Sequence, residues 1–295
     1  MTKSISVRDL IQRTEKQFSE AELFYGHGTD NALDEAFYLV MVAAGLEFDC
    51  SDEALDTPLK REILMHIESL IDKRINQRIP VAYLVNQAWF AGRAFYVDER
   101  VLIPRSPFAE LITSQFMPWL SFNNVNSILD IGTGSGCIPV ACAYEFPHAA
   151  IDAVDIDDDA LAVAKENINK HGFNKRIHLY KSNLFEQLDS KKYDLIISNP
   201  PYVGHNEMQS LPAEYTHEPG HALEASDNGL ELVGQILRQA SAHLNDDGVL
   251  AVEVGNSMNA LIESYPDMPF IWLEFERGGE GVFLLNKTDL EEYQF

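Results

Sequence analysis

From Ser127 onward the chain alternates short apolar runs with segments of helical length, and this alternation restricts the fold more than any other feature. The runs are Ile128 to Ile131, Ile151 to Asp155, Ile177 to Tyr180, Tyr193 to Ser198 and Val249 to Val254. Short strands separated by helices pair in parallel, and right-handed crossovers put the helices on both faces of the sheet. A doubly wound α/β sheet is expected. Phe270 to Phe275 and Gly281 to Leu285 depart from the pattern, because only a five-residue turn, Glu276 to Glu280, lies between them. With no helix to cross over, they form a terminal antiparallel hairpin.

Ahead of this region, Val7 to about Arg78 repeats its apolar residues at helical spacing, as in Ala32, Ala36, Leu39, Val40 and Ala43, or Leu64, Ile67, Leu70, Ile71 and Ile75. Ile79-Pro80 closes this helical segment. Phe95, Val97, Val101 and Ile103 then alternate around Asp98-Glu99-Arg100, which predicts a hairpin. The expected organisation is a small helical domain over 1–88, a linking β-hairpin over 89–105 and the large α/β domain over 106–295.

Charge and cysteine content narrow the partners. Asp and Glu number 46 against 22 Lys and Arg, a formal charge of -24. Such a surface repels phosphate backbones and steers basic proteins toward it, so ribosomal proteins are a plausible pool of partners and nucleic acid is not expected. Lys165, Lys170, Lys175 and Arg176 lie near each other, and they are read as solvating a helix and the loop after it. Cys50, Cys137 and Cys142 have neither disulfide parity nor metal-ligand spacing, which predicts a cytoplasmic protein without a bound metal. The first twenty residues carry Arg8, Asp9, Arg13, Glu15 and Lys16, unlike a signal peptide, and no apolar stretch has the length of a membrane span.

Asp130-Ile131-Gly132-Thr133-Gly134-Ser135-Gly136 falls where the first strand of the sheet turns into a helix, the place where open α/β sheets bind ligands. Cys137 takes the position of the third glycine in the dinucleotide fingerprint, and no Lys follows the glycines, so neither a nicotinamide site nor a phosphate-binding P-loop is indicated. Asp155 ends the second strand, where a carboxylate can accept both hydroxyls of an adenosine ribose. Asp157, Asp158 and Asp159 crowd the start of the next helix and are read as caps. Asn183, after the third strand, is a candidate acceptor for the adenine amine.

The fourth strand ends in Asn199-Pro200-Pro201-Tyr202. Two prolines fix φ and contribute no N–H, so the carbonyls there stay free to accept from a ligand. An amide or aromatic amine nitrogen is a poor nucleophile, because its lone pair is delocalised. Two acceptors, the Asn199 side-chain oxygen and the Pro200 carbonyl, take both N–H hydrogens and leave the lone pair facing a donor, while Tyr202 offers a flat face. Positive charge developing on nitrogen strengthens both hydrogen bonds, which therefore favour the transition state.

A terminal hairpin on a parallel sheet resembles the class I S-adenosylmethionine-dependent methyltransferase fold. With both motifs, the chain from about Ile79 to Leu285 resembles the HemK-like protein-glutamine N5-methyltransferases, and the helical leader resembles their substrate-recognition domain. Leu102-Ile103-Pro104-Arg105, Glu218-Pro219 with Ala222-Leu223, and Asn228-Gly229-Leu230 also match. Release-factor enzymes of this family usually read Pro-Glu-Thr-Glu after Ile-Pro-Arg, whereas this chain has Ser106-Pro107-Phe108-Ala109-Glu110. It is similar instead to the PrmB branch, as are Glu253 to Met258 and Trp272 to Phe275. The resemblance implies S-adenosylmethionine as donor, S-adenosylhomocysteine as product, and a glutamine of large-subunit ribosomal protein number three, free or in an assembly intermediate, as acceptor. It implies Asn199, Pro200, Pro201 and Tyr202 as the catalytic loop, and Asp130, Gly132, Thr133, Gly134, Gly136, Asp155, Asn183 and Asn199 at the cofactor. A release-factor enzyme, a DNA adenine methyltransferase and a non-catalytic adaptor are the alternatives.

Overall fold

The structure is a computed structural model describing residues 5–121, 125–276, 278–293 and 295, with the side chains of Asp227 and Asn228 outside the description. The predicted match at Asn228 therefore lies outside the described side chains. The chain forms two units, one of residues 5–88 with 97–99 and 212–217, the other of 89–96, 100–211 and 218–295.

The first unit is built on helices Val7–Glu20, Ala32–Ala44 and Arg61–Gln77. Ser6 and Asn31 start the first two by accepting from the Asp9 and Asp34 N–H groups. Their apolar faces close on one core containing Leu10, Phe18, Leu39, Val40, Ile67 and Leu70. Arg74 is fully buried beside it and donates to Glu35 at 2.9 Å, Glu214 at 3.0 Å and the Phe24 carbonyl at 2.8 Å. Through Glu214 this ion pair fixes residues 212–217 within the unit. Leaving either carboxylate buried and unpaired would cost about 3–5 kcal/mol.

The second unit opens with a two-stranded hairpin, β1 (Ala88–Phe90) and β2 (Arg93–Phe95). The expected hairpin about Asp98-Glu99-Arg100 is therefore misplaced. Ala91 and Gly92, at φ 47° and 72°, supply the paired left-handed residues that a tight hairpin turn needs. Val97, Val101 and Ile103 are buried without strand pairing, so their alternation reflects loop packing.

Seven strands follow, β3 (Ser127–Ile131), β4 (Ala150–Asp155), β5 (Ile177–Lys181), β6 (Tyr193–Ser198), β7 (Leu244–Glu253), β8 (Ile271–Trp272) and β9 (Val282–Asn286), in the order β5-β4-β3-β6-β7-β9-β8. β3 to β7 are parallel, whereas β9 runs antiparallel to both β7 and β8. The expected doubly wound sheet with a terminal hairpin is thus present. Neighbouring strand residues face opposite sides: Leu195 and Ile197 enter one core cluster and Ile196 the other, as do Ala251 against Leu250 and Val252. Burial on both faces is why these strands read as unbroken apolar runs.

Arg176 differs from its sequence reading. Its guanidinium donates to the Ala143, Phe146 and Ala149 carbonyls, capping the end of helix Cys137–Glu145 and the turn after it.

Candidate active site

The carboxyl ends of β3, β4 and β6 meet at one edge of the sheet, since Ile131 is paired with both Val154 and Ser198. The Gly-rich turn leaves β3 there. Gly132, Gly134 and Gly136 hold φ of 74°, 51° and 75°, a left-handed geometry in which a side chain is strained. Backbone N–H groups of Gly132 and Thr133 donate to the Val154 carbonyl at 2.9 and 3.0 Å, fastening the turn to β4. Asp155 completes the attachment. Its Oδ2 accepts from the Gly134 N–H at 2.9 Å and its Oδ1 from the Asp157 N–H at 3.0 Å. Burial raises its pKa above the ordinary carboxylate value.

A cavity of about 270 Å³ opens at this edge. Gly132, Thr133 and Gly134 line it from the first turn, Asp155 and Ile156 from the second, Asn183 and Leu184 from the third, and Asn199, Pro200 and Pro201 from the fourth. Ile156 is 61 % exposed, an apolar side chain held open to the cavity. Asn183 turns its amide N–H to Glu186 at 2.9 Å, so its carbonyl oxygen is not engaged in that bond. Asn199 lines the wall, and its side-chain amide has no hydrogen-bond partner among the described residues.

Three predicted residues sit behind the wall instead. Gly136 packs on the helix Asp158–His171, where a Cβ would come within 3.1 Å of Ala164. Tyr202 directs its hydroxyl at Glu253, 3.0 Å away. Asp130 is fully buried, and neither carboxylate oxygen has a hydrogen-bond partner among the described residues. Burial pushes its carboxyl up to about 7 against the pull of the neighbouring Thr133 side chain, which stands outside hydrogen-bond geometry, and the charge of Asp155 adds a smaller upward push. An orphaned carboxyl beneath a Gly-rich turn is a group suited to a ligand that brings positive charge or N–H donors.

The opposite wall comes from Arg100, Val101, Leu102, Pro104, Arg105 and Ser106. Glu218 holds it in place, accepting from both terminal nitrogens of Arg105 at 2.6 and 2.8 Å and from the Ile103 N–H at 3.0 Å. Asn167 clamps the neighbouring chain, donating to the Tyr96 and Ser135 carbonyls and accepting from the Tyr96 N–H. Sequence reading assigned neither residue a role. Glu253 was marked in the sequence by its charge within the apolar run Val249 to Val254 and by the family resemblance of Glu253 to Met258, neither of which gave it a role. Burial holds its pKa high, against the Ser106 and Tyr202 hydrogen bonds.

Comparison with known proteins decides the family. A family described as the methyltransferase small domain matches residues 112–261, just over half of the chain. The chain belongs to the methyltransferase small domain family. This methyltransferase is 44 % identical over 98 % of its length to a ribosomal protein uL3 glutamine methyltransferase of Francisella tularensis, covering 92 % of that protein. It is 45 % identical over 97 % of its length to a protein of the same name from Xanthomonas campestris, again covering 92 %. Among solved structures, the hMettl16 catalytic domain in complex with a MAT2A 3′UTR hairpin superposes with a TM-score of 0.50 at 18 % identity, over 84 % of this chain and 88 % of that one. The class I methyltransferase fold follows. No helix among the described residues is long and apolar enough to cross a membrane.

Proposed function

We propose that this methyltransferase transfers a methyl group from S-adenosylmethionine to the side-chain amide nitrogen, N5, of a glutamine in ribosomal protein uL3, leaving S-adenosylhomocysteine. The observation that carries the reading is the meeting of Asn199-Pro200-Pro201 with the Gly-rich turn and Asp155 around one cavity. The names of the two close relatives support the substrate.

Bound S-adenosylmethionine supplies an electrophilic methyl group. The residues fit such a molecule. Asp155 keeps a lone pair on each oxygen for the ribose hydroxyls after accepting one backbone N–H apiece. Ile156 offers an apolar surface, and Asn183 a free carbonyl oxygen, to the adenine. Gly132, Thr133 and Gly134 bring bare backbone against the rest of the molecule, and the carboxyl of Asp130 beneath them matches a cationic amino group.

For the acceptor, Asn199 Oδ1 and the Pro200 carbonyl each take one N–H of the glutamine amide. This leaves the nitrogen lone pair, perpendicular to the amide plane, facing the donor. As positive charge develops on nitrogen, both hydrogen bonds strengthen, so their contribution falls on the transition state, and one of the two N–H protons is then lost to solvent to leave the neutral secondary amide. Pro201, Leu102 and Pro104 give the cavity apolar lining on both walls. Catalysis is positioning and electrostatics, without a protein nucleophile.

The net charge of -24 suits a basic ribosomal protein, met in the cytoplasm either free or in an assembly intermediate without direct contact to nucleic acid. Residues 1–88 serve as the substrate-recognition domain, the hairpin region 89–105 as the link, and 106–295 as the methyltransferase domain. Mass spectrometry of purified uL3 and of a peptide-release factor, each incubated with the chain and labelled S-adenosylmethionine, tests the assignment. Label on uL3 alone is expected; label on the release factor alone moves the enzyme to that substrate, and label on neither removes the protein-glutamine reading.

A further inference from the structure

Glu253 stands at the end of β7, 5 % exposed, and takes no part in the chemistry described above. Its two oxygens serve two segments far apart in sequence. Oε1 accepts from the Tyr202 hydroxyl at 3.0 Å, in the loop that follows Asn199. Oε2 accepts from the Ser106 hydroxyl, in the segment that forms the opposite wall of the cavity. Ser106 in turn accepts from the Phe108 N–H at 3.1 Å, so its hydroxyl is oriented before it reaches the carboxylate.

Tyr202 is held from the other sides as well. Its carbonyl accepts from the Ser257 hydroxyl at 2.8 Å, and its ring fills the space beside Gly255, where a Cβ would lie 2.5 Å from Cε2. Gly255 follows Glu253 by two residues, so one stretch of chain supplies both the acceptor for the Tyr202 hydroxyl and the slot for its ring. Between Tyr202 and Asn199 stand only two prolines, each with φ fixed by its ring. A shift of Tyr202 is therefore passed to Asn199 with little slack.

We propose that Glu253 is a positioning residue that couples the two walls of the cavity, fixing the Asn199 amide through Tyr202 and the opposite wall, residues 100–106, through Ser106. The proposal rests on the reading of residues 199–202 as the acceptor loop. It assigns the hydroxyl of Tyr202 to Glu253 and the tyrosine ring to the slot beside Gly255.

The test is a double-mutant cycle in the full chain. Glu253→Gln, Tyr202→Phe and the double variant are assayed for kcat and KM with uL3, and for S-adenosylhomocysteine affinity by calorimetry. Glu253→Gln is expected to lower kcat by about ten-fold or more, the effect of losing a hydrogen bond to a buried charge, with donor affinity changed by less than about three-fold. The double variant should be no slower than the slower single one, because Tyr202→Phe removes the bond whose charged acceptor Glu253→Gln has already taken away. Losses that multiply, or a loss confined to donor affinity, would overturn the proposal. Hydrogen exchange gives a second readout that needs no substrate: Glu253→Gln should speed exchange at 202–206 and at 106–110 while the strand β3 stays protected. Unchanged exchange at both segments contradicts the role of Glu253. If the wild-type chain leaves uL3 unmodified, the acceptor reading fails on its own, and the exchange arm still decides the coupling.

Discussion

Asp130→Asn separates the buried carboxyl beneath the Gly-rich turn from every other titrating group. Burial pushes that carboxyl from 3.8 up to about 7, so between these values the folded chain holds a proton that the unfolded chain has released. Stability at this site is therefore full below the unfolded value and is lost as pH rises through the folded one. From pH 5 to pH 8 the loss amounts to about 3 kcal/mol at ~1.4 kcal/mol per unit of pH. Asparagine does not titrate. The difference in unfolding free energy between wild type and Asp130→Asn should then move by about 3 kcal/mol over that interval, in favour of the variant at the alkaline end. Taking the difference cancels the contributions of Glu35 and Glu253, whose carboxyls burial also raises, and the constant cost of an unpartnered amide, about 1–3 kcal/mol. Urea unfolding followed by tryptophan fluorescence suits the measurement, because all three tryptophans, Trp89, Trp119 and Trp272, belong to the second unit, which holds Asp130. Saturating S-adenosylhomocysteine should raise the midpoint of the wild type more at pH 8 than at pH 6, and should do so less in the variant. A pH-independent difference between the two proteins would refute the reasoning, since it would mean that Asp130 is either ionised and compensated throughout or never titrates.

Two further substitutions should divide donor from acceptor. Asn199→Ala is expected to lower kcat by about 10²–10³-fold, the usual effect of removing one donor or acceptor aimed at developing charge, and to leave S-adenosylhomocysteine affinity nearly unchanged by calorimetry. Asp155→Ala should act first on the donor, weakening its binding by about ten-fold or more through loss of the ribose contacts and of the Gly134 attachment; equal losses of donor affinity in both variants would contradict the assigned roles.

The strands of the sheet were legible because their pattern has a single physical cause. Leu195, Ile196 and Ile197 are each buried on one face or the other, so β6 reads as a continuous apolar run, and its end coincides with Ser198 as the sequence predicts. The cavity residues Gly132, Thr133, Gly134, Asp155, Asn183 and Asn199 were legible for a related reason, since each follows the end of a strand or closes it. The first hairpin was misplaced because Val97, Val101 and Ile103 alternate without pairing, and the Ala91-Gly92 turn carries no strong composition signal. Arg176 looked like a solvated charge, because sequence does not show which carbonyls lie within its reach. Glu253 and Ser106 are 147 positions apart, and Arg105 and Glu218 are 113 apart. No spacing rule links such pairs, which meet only once β6 and β7 lie side by side.

On the proposed function, the cavity methylates a side-chain amide nitrogen held by Asn199 and the Pro200 carbonyl. The most direct measurement is amino-acid analysis by mass spectrometry of uL3 after incubation with the wild-type chain and isotopically labelled S-adenosylmethionine, following complete enzymatic digestion. The account predicts labelled N5-methylglutamine, absent when Asn199→Ala replaces the wild type. Label recovered as methyl-lysine, as a carboxyl ester or on a backbone nitrogen would contradict it.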